Sequence, residues 1–129
     1  MTPWKIAVLD RATLVSEPFA FNFPAEVAEY PSTRPEETAA RIAEADVVVT
    51  NKVVITAEHI AANPQLKLIA LAATGVDNVD TAAAKAAGVT VCNIRAYGNE
   101  SVAEHAFMLM IALMRNLPVY QRDIAAGIW

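Results

Sequence analysis

The chain has 129 residues, of which 55% are hydrophobic and 19% are charged, and its net charge is −4. A composition this apolar excludes intrinsic disorder, and the length suits a single buried core. Because Lys and Arg form no run, the sequence offers no surface for nucleic acid or for an anionic membrane, and neither is expected as a partner.

Simple sequence patterns bear on the cellular location of the protein and on its reactive side chains. Residues 1–5 lack the basic region of a signal peptide, which favours a cytoplasmic protein. Residues 106–114 form the longest apolar run, which is too short to span a bilayer. The single cysteine, Cys92, lies in a strand-like apolar run and is predicted to be a buried, unreactive thiol. No cluster of His and Cys indicates a metal site.

Five short segments are predicted as parallel strands: four are apolar runs typical of buried strands, and residues 26–30 alternate in a way typical of a short edge strand. They cover residues 4–9, 26–30, 46–50, 66–72 and 89–92. Helical patterns separate the later runs, each with its own start signal: Thr33 is the predicted cap before Pro35, Thr56 caps the next helix, and Asp80 caps the third, which ends at Gly88.

This alternation predicts an α/β fold with a flavodoxin-like, doubly wound, five-stranded parallel sheet of order 2-1-3-4-5, plus a C-terminal helical extension. The expected division is a flavodoxin-like domain over residues 1–98 and a helical segment over residues 99–129. Residues 101–114 are apolar on nearly every side, which predicts a helix buried on more than one side. Pro118 should break it, with a second short helix reaching Ala125. Such an apolar tail favours homo-oligomer formation through residues 101–129.

In an open parallel sheet, ligands bind at the carboxyl ends of the strands. That edge carries Asp10, Asn51-Lys52 and Thr74-Gly75-Val76. Glycine at position 75 can adopt the backbone conformation that aims consecutive N–H groups at a carboxylate, although an ordinary turn is the simpler explanation of the spacing. Lys52 would add a positive charge for an acidic substrate, but most lysines after a strand are solvated.

Three motifs, in order and spacing, carry a family resemblance. Thr50-Asn51-Lys52, Ala73-Thr74-Gly75-Val76-Asp77, and the segment from Gly98 to His105 resemble the D-isomer-specific 2-hydroxy-acid dehydrogenases, particularly their glycerate or hydroxypyruvate branch.

The resemblance implies roles for individual residues. Thr74, Gly75 and Val76 would bind the carboxylate of a small 2-keto or 2-hydroxy acid through backbone amides, while Asn51, Lys52 and Gly98 would line the substrate side. Thr74 and Val102 would border an NAD or NADP cofactor. Glu104 and His105 would be structural residues at a domain junction rather than catalytic groups.

The resemblance also implies what this chain leaves to another domain. The family's catalytic arginine, glutamate and histidine lie beyond the nucleotide-binding domain, so no catalytic residue is expected here. No Gly-x-Gly-x-x-Gly occurs in the sequence, and hence no pyrophosphate cradle is encoded. The chain alone is therefore predicted to be inactive, to bind no cofactor tightly, and to need a C-terminal nucleotide-binding domain.

Two other classes compete with the dehydrogenase interpretation. A flavodoxin-like signalling receiver would show an acidic cluster after the first strand and a phosphoacceptor aspartate after the third, where this chain has Asp10 alone and Asn51-Lys52. A corepressor related to these dehydrogenases would keep the fold without enzyme activity. The motifs favour the dehydrogenase.

Overall fold

A computed structural model describes residues 2–14 and 19–128 of the chain. These residues fall into two compact units, which divide the chain between Arg95 and Ala96. Trp129, the last residue of the predicted oligomerisation segment, lies outside the described residues.

The first unit is built on a five-stranded parallel sheet. Its strands are β1 (Trp4–Val8), β2 (Ala25–Glu29), β3 (Val47–Thr50), β4 (Leu68–Leu71) and β5 (Thr90–Asn93). Their order is β2-β1-β3-β4-β5 and every neighbouring pair is parallel, which confirms the predicted fold. The strands differ from the sequence prediction by one or two residues at their ends.

Three helices belong to this unit: α1 (Pro35–Ile42), α2 (Ala57–Ala61) and α3 (Thr81–Ala86). Thr56 and Asp80 cap α2 and α3 as predicted, since their side chains accept the N–H groups of His59 and Ala83. The predicted cap at Thr33 is wrong: its hydroxyl donates to the Leu9 carbonyl instead. Arg34 is the N-cap residue of α1, and the Glu37 carboxylate accepts its backbone N–H at 2.9 Å.

The main core lies on one face of the sheet. Register places Ala7, Val48 and Ile69 side by side on β1, β3 and β4, and all three are buried. The same buried cluster takes one residue from each helix, namely Ile42 of α1, Ile60 of α2 and Ala84 of α3. Alternation along the strands therefore assigns one set of side chains to α1, α2 and α3 and leaves the other set on the opposite face.

The opposite face becomes more exposed toward β5. Val8 of β1 is buried, Val49 and Ala70 are half-buried, and Cys92, which pairs with Ala70, is exposed. The prediction of a buried Cys92 is thus wrong. Its neighbour Val91 packs against the core, so the period of two directs the Cys92 side chain away from the face that the helices cover.

The second unit contains α4 (Asn99–Met114) and α5 (Leu117–Ala125). Asn116 adopts a left-handed conformation with φ of 54° after α4, and Pro118 occupies the first turn of α5, where its missing N–H costs nothing. The helices confirm the predicted break, but the expected burial of α4 is wrong, because none of its residues is buried.

No single helix among the described residues is long and apolar enough to cross a membrane. α4 and α5 are long and apolar enough only when taken together, and they are bent by 63° at the break between them.

At the amino ends of the strands, Asp46 joins three segments. Its carboxylate accepts the backbone N–H of Lys5 at 3.1 Å and the ammonium of Lys67 at 2.8 Å. The hydrogen bond from Lys67, followed by that from the Lys5 backbone, lowers the pKa of Asp46 below its usual value. Asp46 therefore ties β1 and β4 to the residue that precedes β3.

We expect Asp46→Asn to destabilise the chain at pH 7 and to reduce the loss of stability in acid. A carboxyl whose folded-state pKa is depressed stabilises the fold above its unfolded pKa of about 4, and that contribution disappears as the pH falls through the folded-state value. Urea unfolding of both proteins between pH 7 and pH 2 measures this. The difference in unfolding free energy should shrink as the pH falls; a difference independent of pH would contradict the assignment.

Candidate functional site

The segments after β3, β4 and β5 leave the sheet at one edge. Register aligns Thr50 with Leu71 and Leu71 with Asn93, the last residues of the three strands. Backbone hydrogen bonds continue the alignment past the strand ends, from Ala72 N–H to the Thr50 carbonyl at 2.9 Å and from Ile94 N–H to the Ala73 carbonyl at 3.0 Å. The predicted substrate residues after β3 and β4 therefore lie in adjacent segments.

A buried carboxylate holds the first of these segments. Asp10, which follows β1, is 3% exposed. Its two oxygens accept the Asn51 N–H at 3.0 Å each, and Oδ2 accepts the Lys52 N–H at 2.6 Å. Sequence reasoning placed Asp10 at this edge without a role; the available signal was an acidic residue directly after an apolar strand, where neighbouring backbone N–H groups can meet its charge.

The side chains of the two predicted residues in this segment differ in environment. Asn51 is half-buried, and its Nδ2 donates to Thr13 Oγ1 at 3.1 Å. Lys52 is exposed, and its ammonium has no hydrogen bond or ion pair with any described residue. A fixed backbone thus carries an available positive charge.

The segments after β3 and β4 are also joined directly to each other. Ile55 forms a parallel bridge with Val79, with Ile55 N–H donating to the Asn78 carbonyl at 2.8 Å. In addition, the Asn78 side chain donates to the Val53 carbonyl at 3.0 Å. These contacts connect the two segments beyond the strand ends.

The Thr74-Gly75-Val76 turn presents backbone donors. All three residues are exposed, and within the described chain none of their N–H groups donates a hydrogen bond. The carbonyl of Thr74 is held by Asn93 Nδ2 at 2.7 Å. Sequence reasoning missed this role of Asn93, for which the signal was an amide side chain at the last position of an apolar strand.

The backbone of Gly75 does not have the conformation that only glycine adopts readily. Among the described glycines only Gly88 and Gly127 have a positive φ, so Gly75 does not use the left-handed conformation. A Cβ built at Gly75 would instead lie 2.6 Å from Asp77 Oδ1. Because that atom ends an exposed side chain, rotation of Asp77 would make room for a Cβ. No positive φ supports the expected use of glycine's conformational freedom at this position.

The remaining predicted residues belong to the second unit. Gly98 is half-buried, and its carbonyl accepts the Val102 N–H at 2.9 Å in the first turn of α4. Val102 is 68% exposed, and Glu104 and His105 are exposed as well.

The chemistry available at the edge of the first unit is anion binding. Exposed N–H groups in a turn after a parallel strand, with a lysine in the adjacent segment, suit a carboxylate. Across the part of the chain that the structure covers, no group of three or more His, Cys, Asp or Glu side chains is arranged to hold a metal ion.

Comparison with known proteins gives the family. The family model for the catalytic domain of the D-isomer specific 2-hydroxyacid dehydrogenases matches residues 6–122 of the sequence. The glycerate dehydrogenase of Methylorubrum extorquens is 47% identical over 126 residues, which cover 97% of this chain and 40% of that protein. The hydroxypyruvate reductase of Blautia hydrogenotrophica is 33% identical over 94 residues, covering 73% of this chain and 29% of that protein.

A solved structure agrees with these relatives. The NAD-dependent formate dehydrogenase of Staphylococcus aureus, in complex with NAD, superimposes with a TM-score of 0.69 at 26% identity, over 97% of this chain and 43% of that one. The chain spans less than half the length of each of these proteins. With the family model matching most of its length, the chain belongs to the D-isomer specific 2-hydroxyacid dehydrogenases, in their catalytic domain.

Proposed function

We propose that this chain forms the substrate-carboxylate wall of an enzyme that interconverts a glycerate-like D-2-hydroxy acid and its 2-keto acid. The observation that carries the proposal is the turn of Thr74, Gly75 and Val76, whose N–H groups are exposed and without acceptors in the described chain. The identity of 47% to a glycerate dehydrogenase supports the choice of substrate.

In this proposal the chain binds and orients the substrate. Two or three N–H donors from one turn fix both oxygens of a carboxylate, and the keto carbon next to it is then held in a defined direction. Asn51 and Lys52 complete the substrate side of the first unit, and Gly98 of the second unit stays a predicted substrate residue. Lys52 supplies positive charge without an ion-pair partner in the described residues, while Asp10 holds the backbone that carries it.

The cofactor proposed for the whole enzyme is NAD or NADP, which would supply or accept the hydride. This chain does not fit the role of its main binding domain, because it has no Gly-x-Gly-x-x-Gly turn to receive a pyrophosphate. Thr74 and Val102 are proposed only as residues that border the cofactor. A nucleotide-binding domain outside this sequence would hold it, and the catalytic arginine, glutamate and histidine would likewise come from outside this sequence.

The 129-residue polypeptide alone should therefore be inactive. A chimera in which it replaces the matching segment of the Methylorubrum extorquens glycerate dehydrogenase should oxidise NADH when hydroxypyruvate is added, since the partner domain then completes the site. The decrease in NADH absorbance measures the activity of the short polypeptide and of the chimera. Turnover by the short polypeptide would refute the proposal that a second domain is needed for catalysis. A folded chimera that binds NADH but lacks turnover would favour the corepressor-type alternative.

Within that chimera, Val76→Pro should raise the KM for hydroxypyruvate about tenfold, equivalent to roughly 1.4 kcal/mol, with a smaller effect on the KM for NADH, because it removes one N–H donor from the turn. Gly75→Ala should change the KM by less than about twofold, because an added Cβ would meet only Asp77 Oδ1, the end of an exposed side chain that can rotate away. Steady-state kinetics measures both. A folded Val76→Pro chimera with an unchanged KM for hydroxypyruvate would contradict the role of the turn.

We also propose that the chain forms a homo-oligomer through residues 101–129. The supporting observation is the apolar surface of α4, where Val102, Leu113 and Met114 are 68%, 68% and 75% exposed. Exposed apolar areas of this kind are typical of protein–protein contacts.

Light scattering should show that the mass of the purified chain increases with concentration, because association removes α4 side chains from water. Leu113→Lys should shift the equilibrium toward monomer, whereas the exposed Lys85→Gln on α3 should not. A concentration-independent monomer whose α4 and α5 resist proteolysis would contradict the proposal.

A further inference from the structure

We infer that Asn93 is a positioning residue of the substrate turn: it locks the peptide group between Thr74 and Gly75 in the orientation that directs the Gly75 N–H toward the substrate carboxylate. The inference rests on the proposed function, in which this turn binds the carboxylate. It adds a residue from another part of the sheet, the last position of β5, that sets the direction of one of the proposed donors.

Two hydrogen bonds from the end of β5 fix the start of the turn. Ile94 N–H donates to the Ala73 carbonyl at 3.0 Å, and Asn93 Nδ2 donates to the Thr74 carbonyl at 2.7 Å. Two consecutive carbonyls therefore face the β5 segment. The first is held by a backbone group, whereas the second is held by a side chain and can be released by a single substitution.

These carbonyl contacts determine where the N–H groups of the turn point. In a planar trans peptide the C=O and N–H bonds point in opposite directions. The Thr74 N–H shares its peptide group with the Ala73 carbonyl, and the Gly75 N–H shares its peptide group with the Thr74 carbonyl. Both N–H groups thus face away from β5. Because β4 lies between β3 and β5, this is the side of the segment after β3. Consecutive N–H groups on one side are the arrangement that binds anions.

A glycine at position 75 makes the orientation of this peptide group reversible. Rotation of a peptide group by about 180° changes φ of the following residue by a similar angle, as in the exchange between type I and type II turns. Gly75 is not among the glycines with a positive φ, so rotation would bring its φ into the positive region. Glycine adopts that region readily, whereas alanine loses roughly tenfold in population there. After rotation the Thr74 carbonyl would face the substrate carboxylate and repel it.

Asn93 favours the orientation that can bind. Among the described residues it is the only donor to the Thr74 carbonyl. It is half-buried, and it follows Val91 on the face of β5 that packs against the core, so its side chain extends from an anchored strand. A neutral hydrogen bond of this kind shifts a two-state population by roughly fivefold.

Asn93→Asp is the sharpest test, because it keeps the size of the side chain and reverses its hydrogen bonding. A carboxylate cannot donate to the Thr74 carbonyl, but it accepts the Gly75 N–H once the peptide group has rotated. In the chimera, Asn93→Asp should raise the KM for hydroxypyruvate more than about tenfold, and Asn93→Ala about fivefold. In both variants kcat should change little, since a state that cannot bind lowers the apparent affinity but not the turnover at saturation.

Gly75→Ala distinguishes a rotated peptide group from repulsion of the substrate by the new carboxylate. Because alanine resists a positive φ, Asn93→Asp should raise the KM no more than about threefold in a chimera that already carries Gly75→Ala. Repulsion would be the same in both backgrounds. The matched control is Asn78→Ala, which removes an amide donor from the Val53 carbonyl, a group outside the turn. It should lower the stability of the chimera but keep the KM within about twofold.

Nuclear magnetic resonance measures the peptide orientation without any activity, in the isotope-labelled 129-residue chain. The nuclear Overhauser effect of the Gly75 N–H is strong to the Thr74 N–H in one orientation and to the Thr74 Hα in the other. The unmodified chain should show one orientation, Asn93→Asp the opposite one, and Asn93→Ala a mixture. Asn93→Asp combined with Gly75→Ala should return to the orientation of the unmodified chain.

The inference is overturned if folded Asn93→Asp and Asn93→Ala chains keep the orientation of the unmodified chain, with circular dichroism as the measure of folding. It is equally overturned if an active chimera shows the same rise in KM for Asn93→Asp with and without Gly75→Ala. A folded chimera without turnover would instead refute the proposed function, while the peptide orientation in the 129-residue chains still decides the role of Asn93.

Discussion

The in-register ends of β3, β4 and β5 are the constraint on which the candidate site depends. Because Thr50, Leu71 and Asn93 are aligned, the three following segments begin at one height on the same edge. Short-range contacts then connect them, such as the Asn93 amide on the Thr74 carbonyl. A shift of one strand by a single residue would turn its buried side chains to the opposite face and separate these segments, so the packing of the core and the geometry of the site are enforced together.

Asp10 shows how an edge proposed to bind an anion can contain a buried acid. A carboxylate with little exposure is costly unless its charge is met by donors, and here the backbone N–H groups of Asn51 and Lys52 meet it. The lysine ammonium is consequently not needed to neutralise Asp10. Backbone groups stabilise the internal charge, and the Lys52 ammonium has no ion-pair partner among the described residues.

The sequence was sufficient for the fold because its signals are local and agree with one another. Apolar runs, the caps at Thr56 and Asp80, and the break at Pro118 each act over a few residues, and all appear in the structure. The errors concern properties decided over longer distances. The exposure of Cys92 depends on which face the helices cover, and the burial of α4 depends on what packs against it.

In the candidate site, too, local sequence signals were sufficient for some features, whereas others depend on contacts between distant segments. Motif order located Asn51, Lys52 and the turn at Gly75, but spacing cannot show which side chain supports them, so the role of Asp10 was not predicted. Gly75 is a finer case. Sequence alone cannot show whether a glycine adopts a positive φ; Gly75 does not, and the atom nearest to an added Cβ would be the end of the exposed Asp77 side chain, at 2.6 Å.

The hydrogen bonds between Asp10 and Asn51 span 41 positions of the chain, and this separation has a consequence for folding. The crossovers from β3 to β4 and from β4 to β5 are shorter, so they close at a smaller loss of chain entropy. Contacts that are local in sequence tend to form first. We therefore expect the β3–β5 portion to assemble before β1 docks beside it, which makes the anchoring of Asn51 and Lys52 a late event in folding.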